Sequence, residues 1–162
     1  MSQITVQRSP LGPSSLASAQ ALLSAAVEHW DDTSAADQYI QQALATDANL
    51  DVLISAYRYY FYKSNAAMAL QMAIAVCKYI QQLEHWPSDW AALQPILLSQ
   101  IELQSARLYI SAYAASGVLQ ARLGNLAWAE TIANQVQQLQ AKEFGADMLL
   151  SILSSPAEEE DD

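Results

Sequence analysis

Apolar positions in this chain recur at helical spacing and are interrupted by short polar clusters. Residues 1–13, with Pro10, Gly12 and Pro13, predict an irregular lead-in. Ser14 or Ser15 can cap a first helix that ends near Trp30. Asp31, Asp32, Thr33 and Ser34 make a turn, and any of them can cap a second helix ending near Thr46. Asp47-Ala48-Asn49 is the next turn, and a third helix follows over 50–63. Ser64-Asn65 turns the chain into a fourth helix that reaches Glu84. The stretch His85-Trp86-Pro87-Ser88-Asp89 is a break, after which Ser88 or Asp89 caps a long fifth helix to Leu123. Pro95 falls near its start or at a kink. Gly124-Asn125 closes it, a sixth helix runs to Ala141, and a short seventh spans 145–153.

Short turns between helices make sequential helices antiparallel neighbours. The expectation is an all-α fold of stacked antiparallel helical hairpins, about seven helices in a single domain over 14–154. The seventh would cap the open end, with Phe144, Met148, Leu149 and Leu150 against the sixth.

One stretch strains this simple pattern. Tyr57, Tyr59, Tyr60, Phe61 and Tyr62 crowd the end of the third helix. With about 100° between successive side chains they cannot share one face. A stripe of Leu50, Leu53, Ile54, Tyr57, Tyr60 and Phe61 has ordinary core width, leaving Arg58, Tyr59 and Tyr62 facing outward. Arg58 and Tyr62 are i, i+4 neighbours, placed to stack.

Composition agrees with helices: Gly is scarce, with 4 residues, and only 15% of the residues are charged. A chain so poor in charge has surface to cover, which points to a homodimer or a protein partner. The net charge is −10, and Glu158, Glu159, Glu160, Asp161 and Asp162 supply half of it in a tail over 155–162 that reads as disordered and solubilising. The acidic body argues against nucleic acid, whose phosphates need a basic footprint. No apolar run is clean enough to span a membrane, no leader pattern opens the chain, and a cytoplasmic protein is expected. The lone Cys77 reads as a buried thiol.

Self-similarity gives a second line of argument. Ala36, Ala69 and Ala129 each sit in the second helix of a hairpin, where a small side chain lets helices approach. Around them, "AADQYIQQALATDAN" (35–49), "YFYKSNAAMAL" (60–70) and "GVLQARLGNLAWAE" (117–130) resemble the tetratricopeptide repeat, with Ser64 where the repeat usually has Gly and Gly117, Gly124, Leu126 and Ala129 in register. A longer set of segments, from "AYRYYFYKSNAAMAL" through "PSDWAAL" to "GADMLLSIL", also resembles small helical-repeat proteins of bacterial nitrogen-fixation gene clusters.

The tetratricopeptide resemblance implies a groove lined by the first helix of each hairpin. That stripe offers Ala21, Ala25, Glu28 and His29 on the first helix, Arg58, Tyr59 and Tyr62 on the third, and Arg107, Ser111, Val118 and Arg122 on the fifth. Three of the four arginines would then face a protein or peptide partner, with an acidic segment or a C-terminal carboxylate as the matching chemistry. His29 and Tyr62 would flank it. The rival is a structural homo-oligomer whose dimer interface is the exposed aromatic strip. A small-ligand protein or an enzyme is a third class. The chain carries no phosphate-cradling loop, zinc signature or nucleophile elbow. No catalytic residue, cofactor or metal is therefore expected. Asp31, Asp32 and Asp37 read as caps and dipole complements, and His29 and His85 as groups satisfying helix-end carbonyls.

Overall fold

The computed structural model describes residues 13–139. These form seven helices: α1 (Pro13–Glu28), α2 (Thr33–Thr46), α3 (Leu50–Tyr62), α4 (Ala66–Glu84), α5 (Trp90–Ser99), α6 (Gln104–Arg122) and α7 (Leu126–Gln137). No strand occurs among the described residues. The expected lead-in before Pro13, the helix over 145–153 and the acidic tail lie outside them. The chain divides into two compact units, one ending at Asn65 and the other beginning at Ala66.

In the first unit α1 and α2 form an antiparallel hairpin, and α3 packs against both. Size, more than hydrophobicity, decides which residues meet at the hairpin seam. Ala19, Ala26, Ala36 and Ala43 are completely buried, whereas Val27, beside Ala26, is 67% exposed. Two helices approach closely only where the side chains between them are small. Polar groups set the ends. The Asp32 carboxylate accepts the Ala35 N–H at 3.2 Å, and the Asn49 side-chain oxygen accepts the Val52 N–H at 3.0 Å. Buried Asp47 accepts the Ser15 hydroxyl at 3.1 Å, tying the start of α1 to the end of α2.

In the second unit α4 and α7 flank α6, each packed against it. Ser105 donates to Glu84 at 2.6 Å, and the Tyr113 hydroxyl donates to Gln135 at 2.5 Å. Buried Cys77 lies 3.9 Å from the Tyr109 carbonyl. These pairs make α6 antiparallel to both neighbours, so α4 and α7 run in the same direction. Four rings form a continuous column, Trp86, Tyr109, Tyr113 and Trp90, with centroids 6.0, 5.8 and 5.7 Å apart. The Trp90 indole also donates to Gln138 at 3.1 Å.

The long fifth helix expected up to Leu123 is two helices, α5 and α6, parted at residues 100–103. Pro95 is accommodated inside α5. The break comes later, where the Ser99 hydroxyl donates back to the Ile96 carbonyl at 2.9 Å and the Leu103 N–H bonds the Gln100 carbonyl. Local serine bonding of this kind competes with the helical ladder. The count of seven is thus reached by splitting the fifth helix.

α3, α4 and α6 end in the same way. The N–H groups of Asn65, Trp86 and Asn125 bond back to the carbonyls of Tyr60, Gln81 and Gln120. The preceding residues, Ser64 (φ 60), His85 (φ 58) and Gly124 (φ 90), are left-handed. This is the Schellman closure, which suits glycine. A Cβ at Gly124 would meet nothing within 4 Å, so its φ alone accounts for the glycine. Ser64→Gly and His85→Gly are each expected to stabilise the protein by about 0.5–1 kcal/mol, the left-handed penalty less the entropy glycine adds to the unfolded chain. Thermal melts of the two variants check this; a lowered midpoint would contradict it.

Candidate functional site

α1 and α3 run alongside one another, both counter to α2, and leave a groove of about 320 Å³ between them. One wall is Gln20, Ser24 and Val27 on α1 and the other is Ser55, Arg58 and Tyr62 on α3. Both sets follow the i, i+3/i+4, i+7 spacing of a single helix face. Leu23, Ile40 and Tyr59 line it more deeply, and Trp30 stands at the end of α1.

The exposed apolar surface of this unit collects here. Val27, Trp30 and Tyr62 are its large exposed hydrophobic residues, Tyr62 at 70%, and all three line the groove. Arg58, exposed on α3, is the only formally charged side chain in the described lining. Isolated apolar residues on a surface need no explanation, but here three surround one concavity that has a single cation on its wall.

The third helix is oriented differently from the sequence expectation. Tyr59 was expected to face outward and is instead buried, while Tyr57 and Phe61 are only half-buried. The buried arc of α3 contains Val52, Ala56, Tyr59 and Tyr60, turned by somewhat less than one residue step. Two contacts explain this. Ala56, completely buried, permits close approach on that side. Asp37 on α2 accepts the Tyr59 hydroxyl at 2.5 Å, giving the buried ring a charged partner. The Trp30 ring meets Tyr59 edge-on at 5.6 Å. Burial, together with the bond to Asp37 and its charge, pushes the Tyr59 hydroxyl well above the usual tyrosine range.

Lys63 was not singled out by sequence. Its Nζ lies 4.1 Å from the Trp30 ring centroid, donates to the Trp30 carbonyl, and bonds the Thr33 hydroxyl at 3.2 Å. The cation–π contact that i, i+4 spacing offered to Arg58 and Tyr62 is therefore made by Lys63, one residue past the end of α3. It fastens the α1–α2 turn at one end of the groove.

The α1 wall is also rotated. The expected stripe of Ala21, Ala25, Glu28 and His29 does not line the groove; Gln20, Ser24 and Val27 do. His29 turns to the α2 side, where its Nδ1–H donates to the Ala25 carbonyl at 2.9 Å and its ring lies 5.1 Å from Tyr39. That satisfies a helix-end carbonyl, which was the plainer of its two readings. Arg107 and Arg122 are exposed on α6, in the other compact unit, and neither lines the α1/α3 groove. Arg122 sits in the last turn of α6, where a cation complements the helix dipole.

The described lining contains no carboxylate, thiol or imidazole. Among the described residues no group of three or more His, Cys, Asp or Glu could hold a metal ion, and no helix is long and apolar enough to cross a membrane. Asp32 caps α2 and Asp37 serves Tyr59. No known protein family, curated protein or solved structure matches this chain.

Proposed function

We propose that this protein is a non-catalytic protein-interaction module, an adaptor or assembly factor that holds a segment of a partner in the α1/α3 groove. The observation that carries the reading is the gathering of Val27, Trp30 and Tyr62 around one open concavity with Arg58 on its wall. The helical hairpins are in keeping with the tetratricopeptide resemblance, in which the first helix of each hairpin faces the ligand.

The chemistry defines the partner. Apolar anchors bind the groove, and a nearby carboxylate meets Arg58, whose planar fork suits it. The protein as a whole is acidic, so a single groove cation discriminates by position and not by long-range attraction. Glu28 and His29 are not part of this surface, and Arg58 and Tyr62 carry the proposal from the original set.

A peptide selected from a random library on the full chain provides the test. Arg58→Ala and Tyr62→Ala are each expected to weaken its binding about tenfold, or ~1.4 kcal/mol. Both side chains are exposed, so the melting temperature should stay within about 2 °C. Unchanged affinity in both variants would overturn the proposal. Sedimentation of the chain alone addresses the rival dimer. A salt-insensitive dimer lost on Val27→Ser and Tyr62→Ser would assign the groove to a second copy.

A further inference from the structure

The second unit has its own groove, separate from the one above. It measures about 230 Å³ and lies over α6 between α4 and α7. Ile74 on α4 and Trp128 on α7 form its rims, 38% and 60% exposed, with Tyr113 and Ile132 between them. Lys78 is the only formally charged side chain in its described lining. We propose that its occupant is the chain's own segment 144–153, lying as a helix antiparallel to α4 and α7.

Chain direction argues for this occupant. The bonds Ser105–Glu84 and Tyr113–Gln135 set the C-terminal end of α4 beside the start of α6 and that of α7 beside its middle, with both helices running counter to α6. The chain therefore leaves α7, past buried Leu139, at one end of the groove. Residues 140–143 are a connection of ordinary length for antiparallel helices. Residues 144–153 as a helix extend about 15 Å, matching the run back from Gln137 to Trp128 on α7. Phe144, Met148 and Ile152 recur at i, i+4 and i+8, with Leu149 and Leu153 beside them, an apolar stripe at helical spacing.

Charge fits the same direction. The acids Glu158 to Asp162 then arrive at the N-terminal ends of α4 and α7. Neither helix has an acidic residue in its first turn, and Asn125 gives α7 no side-chain capping bond. Helix N-termini favour negative charge. Running the segment the other way would carry these acids to the unfavourable ends.

Hydrogen exchange on the full 162-residue chain tests the proposal. Backbone amides of 144–153 should exchange at least about tenfold more slowly than in an unfolded chain. The groove variant I74S/W128S and the segment variant M148S/I152S should both remove that protection, leaving α6 amides unchanged. Both groove residues are exposed in the fold, so α6 serves as an internal control of folding. Unprotected amides in the wild type would overturn the proposal, as would protection that survives the groove variant. Protection that grows with protein concentration would instead assign the groove to a second copy.

Discussion

Tyr60→Ala is expected to destabilise the protein by about 3–5 kcal/mol, whereas Tyr62→Ala, two residues on, should change stability by no more than about 0.5 kcal/mol. Tyr60 is 1% exposed. Its ring meets Tyr59 edge-on at 5.2 Å, and its hydroxyl accepts a bond from Gln41 at 2.9 Å. Truncation loses the transfer energy of a large ring, leaves a cavity and breaks the aromatic pair. Tyr62 touches Phe61 edge-on at 5.5 Å and otherwise faces solvent. A cost of this size is a large fraction of the roughly 5–15 kcal/mol that holds a domain folded. Urea melts of the two variants decide the matter. Equal losses would mean that the crowded end of α3 is not divided between core and groove as described.

Alkaline unfolding should come next in size. Tyr59, Tyr60, Tyr109 and Tyr113 all hold their hydroxyl protons more tightly than usual, burial being the largest cause in each. Asp37 adds to the shift at Tyr59 and Tyr60, and Cys77 adds at Tyr109 and Tyr113. Burial also pushes the Cys77 thiol from 9.0 up to about 12. Each of these groups releases its proton at a lower pH once the chain unfolds. Ionisation therefore favours the unfolded state first. The stability is fully present below the unfolded values and is lost as pH rises toward the folded ones. Stability is expected to be unaffected by these groups near neutrality, to begin falling near pH 9, and to fall more steeply above about pH 10. Cys77 alone accounts for about 4 kcal/mol once both of its limits are passed. In Cys77→Ala the onset should move up by about one pH unit, to the tyrosine range. Urea melts across this range check it, and a wild-type curve that stays flat to pH 12 would contradict it.

The sequence makes the helices visible because their boundaries are chemical. Asp32, Asn49 and Asp89 each accept a backbone N–H where a cap was needed, and three turns follow from their polar clusters. The split of the fifth helix was hidden because residues 100–103, Gln-Ile-Glu-Leu, contain no glycine, proline or polar turn cluster, while Pro95 drew attention to a position the helix tolerates. The groove was legible in type and partly in address. Arg58 and Tyr62 were found because they lie far from any apolar arc of α3. The phase of α1 was not legible. Its apolar residues surround the helix, and two of the three buried ones, Ala19 and Ala26 on either side of Leu23, are small. Hydrophobic period carries no record of size. Tyr59 was misplaced for a related reason: its burial depends on Asp37, whose opposition to it across the α2–α3 pair is tertiary information.

The α1/α3 groove is the proposed seat of a partner segment. Backbone amide shifts of the full chain, followed during titration with the selected apolar and acidic peptide, test that directly. The expected result is a set of perturbations confined to residues 20–30 and 55–62, saturating with the same constant as binding. Perturbations centred beyond residue 65, or binding without any change at Val27, Arg58 and Tyr62, would contradict it.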